Sequence, residues 1–421
     1  MKNILYTLLL IAVANLIHAQ EVVQVSVGES YANATFYSLS NQETTTIAHT
    51  DWDIAFEVDA RGAGIHVNEG VLSSFGTPAP QVELYYNDAT DFATADTTGS
   101  TRLYNPDQTW SVGAFNSVSA EGNPLDLGWG VYDVNTHAIN GSRVFFIKIR
   151  NGEMKKIQIE SLTGGLYTFK YANMDGTGEI TRVIDKADFP DKTLVYYSFE
   201  NDSVLDLEPS EWDLLFTRYS TPLDAGDGST IDYTVTGIFV NAGSRVAVGR
   251  GVDPATADHE AYADDYTDMV STIGFDWKDF DFQAGWSIPE DRVYFVQTSA
   301  GEIYKIQFLD FEGSSSGVTT LQVELEEISN IDTPNYLSSI DIYPNPATSF
   351  IQIDLSTPVA LGEVSFELIN ALGQSLQHRT VAVYEGDYSE RLELSNNMVN
   401  GLYYLVISSE DSVITRPVFI E

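Results

Sequence analysis

Between residues 21 and 330 apolar and polar residues alternate with a period of two, and helical spacing is scarce. That periodicity predicts strands, because successive side chains of a strand point to opposite faces. In the stretch 51–58, Trp52, Ile54, Phe56 and Val58 alternate with Asp51, Asp53 and Glu57. The expectation is one apolar row against a core and one acidic row facing outward. Trp212, Leu214 and Phe216 repeat the apolar row, and Ile157 and Ile159 are answered by Ile306 and Phe308 in a later pair of runs. Gly152 and Gly301 lie between such runs, and Asn151-Gly152 is a hairpin turn signal. Val, Ile, Thr, Tyr and Phe dominate these segments, as strands prefer. The fold class expected is mainly β, with antiparallel sheets.

The same pattern occurs twice. "WDIAF" at 52–56 returns as "WDLLF" at 212–216, and "FYSLSN" at 36–41 returns as "YYSFEN" at 196–201, both at an offset of 160. "GIHVNEG" at 64–70 pairs with "GIFVNAG" at 237–243, and "RVFFIKIRNGEMKKIQI" at 143–159 with "RVYFVQTSAGEIYKIQF" at 292–308. Four blocks in one order indicate duplication of a unit of about 150 residues, far longer than a solenoid repeat of roughly 20 to 50. Each copy therefore reads as a domain, with expected bounds of 20–185 and 186–328 and a break where turn formers and charges interrupt the pattern over 174–193. A polar stretch with Pro334 reads as a linker, 329–339, and the segment 340–421 reads as a small immunoglobulin-like β-sandwich.

Composition narrows the partners. The chain has 421 residues, 43% of them hydrophobic, enough for several cores and too apolar for a disordered chain. Its net charge of −40 strongly disfavours nucleic acid and anionic membrane surfaces as partners, since both would be repelled. Lys2, the apolar run Ile4 to Ile17 and Ala19 read as a signal peptide over 1–19, so the mature chain is expected to start at Gln20. No later window is apolar enough for a transmembrane helix. There is no cysteine, hence no disulfide and no thiolate metal site.

Two resemblances follow from particular residues. Tyr343-Pro344-Asn345-Pro346, then Asn370-Ala371-Leu372-Gly373-Gln374, then Gly401-Leu402-Tyr403 resemble, in that order, the type A C-terminal sorting domain of the type IX secretion system of Bacteroidota. Arg416 stands where a lysine is more usual. The resemblance implies that the type IX machinery is a partner and that the protein is secreted or held at the outer cell surface. The "WDIAF" and "WDLLF" strands, with "GEMKKIQI" before "GGLYTFKY" and "GEIYKIQF" before "SGVTTLQVE", resemble the HmuY family over roughly residues 30 to 328, in two passes. That family implies a small apolar ligand such as haem.

Haem needs axial ligands, usually His or Met, in an apolar cleft. His66 and His137 are the best pair in the first copy, but Phe239 and Trp286 stand at the aligned positions of the second, so a paired site cannot exist in both. His137 lies just ahead of the "RVFF" strand, where the resemblance places a ligand; His259 and Met269 occupy a comparable loop of the second copy. "GSSSG" at 313–317 fits G-x-S-x-G, but a β run follows it where a nucleophile elbow needs a helix. Asp279 and Asp281 are candidates for calcium, and Trp52 and Trp212 are expected in a core rather than on a sugar-stacking surface. The functional expectation is a secreted or cell-surface ligand-binding protein without enzymatic activity. The alternative is a non-haem surface protein, structural or adhesive.

Overall fold

The computed structural model describes residues 20–71, 82–328, 339–358, 360–370, 375–395, 398, 401–409 and 412–420. The expected signal segment, residues 329–338 of the expected linker, and Gly373 of the sorting motif lie outside them. The chain divides into two compact units, one comprising residues up to 299 with 303–326, the other comprising 327 onward with 300–302.

In the first unit almost every ordered segment is a strand, joined to its neighbours by antiparallel pairing. An eight-stranded sheet contains Phe145–Lys148, Met154–Thr163, Leu166–Asn173 and Ile180–Asp185. A five-stranded sheet places Glu21–Ser26 beside Val318–Ile328, then Glu302–Phe311, Arg292–Gln297 and Arg245–Arg250. The Asn151-Gly152 turn forms as expected, with Gly152 at φ 86° and Lys148 opposite Met154.

Two four-stranded sheets show how the duplicated copies combine. In one, Ile54–Glu57 and Ile65–Val67 of the first copy pair with Leu194–Ser198 and Ser203–Leu205 of the second. In the other, Asn33–Tyr37 and Thr44–Ala48 of the first copy pair with Leu214–Asp224 and Thr230–Val240 of the second. The pairings are equivalent: Tyr197 sits opposite Ile54 as Tyr37 sits opposite Leu214, and Tyr196 opposite Ala55 as Phe36 opposite Leu215. The tryptophans follow suit. Trp52 meets the edge of Tyr196 at 5.0 Å and 69°, and Trp212 that of Phe36 at 5.0 Å and 68°.

Each copy thus lends its first hairpin to the other, and the structural modules are offset from the sequence repeats. The first core draws only on residues from Ile54 to Phe199. The second joins Val25, Val27, Tyr37 and Leu39 to residues from Leu214 to Val323. The bounds read from the repeats, 20–185 and 186–328, therefore differ from the modules, about 50–206 and 20–48 with 207–326. Repeat matching marks what was copied. Strand pairing decides what packs together.

The exchange also explains why the expected outward acidic row is absent. Ile54 and Phe56 face the first core, but Ala55 faces a second apolar cluster with Phe36, Trp110, Leu194, Tyr196, Trp212 and Leu215. Strand Ile54–Glu57 is consequently buried on both faces, with Asp53 1% and Glu57 4% exposed. Burial of a carboxylate requires compensation. The Asp53 carboxylate accepts from Arg150 Nε at 2.9 Å and the Phe199 amide at 2.7 Å, and Glu57 accepts from the Gly64 amide and Ser111 Oγ at 2.7 and 2.9 Å. Trp52 and Trp212 are packed in this middle cluster, not in the cores that Ile54 and Leu214 face.

The second unit is a sandwich of a three-stranded sheet, Ser339–Tyr343, Phe350–Thr357 and Gly386–Glu393, and a four-stranded one, Ser375–Val383, Gly362–Asn370, Gly401–Ser409 and Ser412–Ile420. Strict alternation supplies its core: Ile351, Ile353 and Leu355 from one sheet meet Val364, Phe366, Leu368, Leu405 and Ile407 from the other. Of the sorting-motif residues, Tyr343 ends its strand, Pro344 and Pro346 are exposed, the Asn345 side chain accepts from the Phe419 amide at 2.7 Å, Gly401 opens a strand and Tyr403 is buried.

Candidate functional site

Where the two four-stranded sheets meet, their second faces do not close completely. A cavity of about 70 Å³ remains, walled by Trp52, Trp110 and Tyr196 from the first module and by Leu215, Tyr219 and Phe239 from the second. Trp110 ties the walls together. Its indole N–H donates to the Val240 carbonyl at 2.9 Å, and its own carbonyl accepts from His66 Nε2 at 2.7 Å. Its ring stands edge-on to Phe239 at 5.6 Å and to Trp212 at 6.0 Å.

Besides Tyr196 and Tyr219, whose hydroxyls burial pushes up, four ionisable groups on this wall are perturbed by burial. His66 is driven down to about 4, with the bond to the Trp110 backbone opposing that shift, so it is neutral at pH 7. Since Nε2 donates to a carbonyl, only Nδ1 is left as an acceptor or metal ligand. His49, 3% exposed, is driven down to about 3 by burial and then by the Arg218 charge. The Asn33 backbone pulls the other way, and neither ring nitrogen of His49 has a close hydrogen-bond partner among the described residues. Glu69 is pushed up to about 7 by burial, while the Asn105 and Ser220 amides, donating to its two oxygens at 2.9 and 3.0 Å, hold it back. Arg218 is lowered to about 10 by burial and stays charged at pH 7. Its guanidinium lies 3.4 Å from the Gly70 carbonyl and 5.0 Å from the Tyr31 ring, with no carboxylate partner among the described residues. Gly70 itself is required: a Cβ there would fall 2.0 Å from His49 Nδ1.

Of the four expected ligand residues, only His66 lines this cavity. His137 is exposed in the turn between Gly130–Asp133 and Ala138–Gly141, at φ 56°, with Nδ1 2.7 Å from the Tyr132 hydroxyl. His259 starts a short 3₁₀ turn against Phe295, its ring 6.4 Å from that phenyl. Met269 is exposed, although its neighbour Val270 reaches the cavity wall. The other candidates also separate. Gly313–Ser315 is a 3₁₀ turn between antiparallel strands, so "GSSSG" is not a nucleophile elbow. Asp279 and Asp281 lie on an exposed two-stranded hairpin, and no group of three or more His, Asp or Glu able to hold a metal occurs among the described residues.

His49, Glu69 and Arg218 were not singled out by the sequence reading. Part of the signal lies in the repeat itself: inside matched blocks, His66 answers Phe239 and Glu69 answers Ala242. The copies keep their frame and differ in polarity at the cavity.

Fold and terminal motifs define a class of tandem all-β proteins that carry a C-terminal sorting domain for secretion. A family model described as HmuY protein matches residues 30–171 and 191–325, well over half of the chain, and one described as Secretion system C-terminal sorting domain matches 341–421. The chain belongs to the HmuY family. The two matches follow the repeats, not the exchanged modules. No curated protein matches. Among solved structures, apo PinO from Porphyromonas gingivitis matches with 8% identity and a TM-score of 0.24, over 74% of this chain and 99% of that one. Dimeric latent PorU from Porphyromonas gingivalis matches with 10% identity and a TM-score of 0.17, over 95% of this chain and 34% of that one. No helix among the described residues is long and apolar enough to cross a membrane.

Proposed function

We propose that this HmuY-family chain is an exported binding protein that takes a small ligand in the cavity between its two modules. The observation that supports it is His49, an imidazole buried beside an aromatic-walled void with no close partner for either ring nitrogen among the described residues. Buried polar groups in native proteins are otherwise nearly always satisfied. A void of about 70 Å³ corresponds to roughly two water volumes and lies well below the roughly 300 Å³ of a drug-sized pocket. The ligand that fits without rearrangement has a handful of heavy atoms. Propionamide, a neutral probe of that size, should bind the mature chain in saturation-transfer NMR and lose its signal in Phe239→Trp, which fills the void. Absence of binding of both propionamide and its anionic analogue propionate in the parent chain would refute the reading.

Haem is the second reading, favoured by the family match alone. It requires the cavity to open, and His66 is the only one of the four expected ligand residues placed to contribute. Titration with haemin therefore has a definite expected pattern if haem enters here: a Soret shift lost in His66→Ala and kept in His137→Ala. The reverse pattern would put the ligand at the exposed turn, and no shift at all would leave the non-haem reading.

A further inference from the structure

We infer that the cavity between the modules binds a short-chain carboxylate, with its charged head on Arg218 and His49 and its apolar body against Trp110 and Phe239. The inference rests on the reading of this cavity as the ligand site and adds the chemical class of the occupant.

Arg218 is the first reason. The chain has 61 acidic residues and 21 basic ones, so a guanidinium has an excess of carboxylates to choose from. Among the described residues Arg218 nevertheless has only a long contact to the Gly70 carbonyl and the face of Tyr31. A guanidinium is shaped to receive a carboxylate through two parallel N–H donors. His49 is the second reason. It lies near enough to feel the Arg218 charge and is neutral, so one of its ring nitrogens carries a proton that, among the described residues, has no close acceptor, the Asn33 backbone acting on it only weakly. A guanidinium with no carboxylate partner among the described residues and an imidazole with no close acceptor, beside one void, call for an anion.

The wall also carries acids, and they decide how strong the site can be. Both oxygens of Glu69 are occupied by backbone amides, which turns its acceptors away from an incoming donor. Asp107 is partly exposed at the wall and opposes an anion more weakly, because solvent screens it. Aromatic walls disfavour a fully hydrated anion such as phosphate, and the volume limits the apolar tail to a few carbons.

The test uses the mature full-length chain at about 0.15 M salt, where the screening length is about 8 Å and the repulsion from the net charge is damped. Propionate and propionamide are compared by calorimetry in the parent chain, Arg218→Gln and His49→Gln, with unfolding midpoints checking that each variant folds. Propionate should bind at least tenfold more tightly than propionamide. Arg218→Gln should weaken propionate about ten- to a hundredfold, as loss of a charged hydrogen bond does, and leave propionamide unchanged. His49→Gln reports on the same head group through a second variant. Equal binding of both probes, each lost in Phe239→Trp, would overturn the carboxylate assignment and leave the cavity as a ligand site. Binding of neither would overturn both. A preference for propionate that survives in both head-group variants would also overturn the assignment.

Discussion

A fragment of residues 50–206 will fold by itself, and a fragment of residues 20–185, cut at the boundary that the repeats suggest, will not. Every buried residue of the first core lies between Ile54 and Phe199. The cut at 185 removes Val195, Tyr197 and Phe199 from that core and strips Ile54–Glu57 of one of its two partner strands, Leu194–Ser198. Full burial of such side chains contributes about 1.5–3 kcal/mol each, so the loss rivals a whole domain stability of roughly 5–15 kcal/mol. It also leaves Glu21–Ser26 without a partner strand and bares one edge of Asn33–Tyr37, which keeps only Thr44–Ala48, and such edges invite aggregation. Far-UV circular dichroism and urea unfolding of the two fragments are the measurement. A cooperative transition in 20–185 equal to that of 50–206 would show that the exchanged hairpin is dispensable.

The second large effect is expected at Asp53. Its carboxylate is the ion-pair partner of Arg150 at 2.9 Å, with both side chains almost fully buried, and it also holds the Phe199 amide across the exchanged pairing. Asp53→Ala leaves a guanidinium inside the protein with Ser198 Oγ at 3.0 Å and the more exposed Glu200 at 3.9 Å. Breaking a buried pair on one side costs about 3–5 kcal/mol, whereas replacing both partners with apolar residues can be nearly neutral. Asp53→Ala should therefore lower the urea midpoint sharply at an unchanged slope, and adding Arg150→Met should restore much of it. If the double variant is as unstable as the single one, the cost lies in the Phe199 contact and not in the stranded charge.

The sequence carried the strands and the duplication because both are written in local order. Alternation at 52–58 and 212–216 needs no knowledge of a partner, and neither does the Asn151-Gly152 turn. What it could not carry was partner choice. Tyr37 and Tyr197 occupy equivalent places in matching blocks, so nothing in either block says that each pairs with the other copy's strand. The same limit hid the second buried face of Ile54–Glu57: Asp53 and Glu57 read as solvent-facing until Arg150 and Ser111, distant along the chain, are brought against them. The cavity residues fared worst. Arg218 and His49 belong to different copies and meet only through the exchange, whereas His137, well placed by sequence position, ends on a turn facing solvent.

The clasp between Glu21–Ser26 and Val318–Ile328 has a consequence for timing. The earliest described strand of the first unit finds its partner among the last residues of that unit to be synthesised, Val25 opposite Thr319 across nearly the whole length of that unit. Such a long closure is slow, because the ends must meet before any contact rewards them. The inner module, assembled from one uninterrupted stretch, is ready first, while the outer one waits for the chain to be finished and then locks beginning to end.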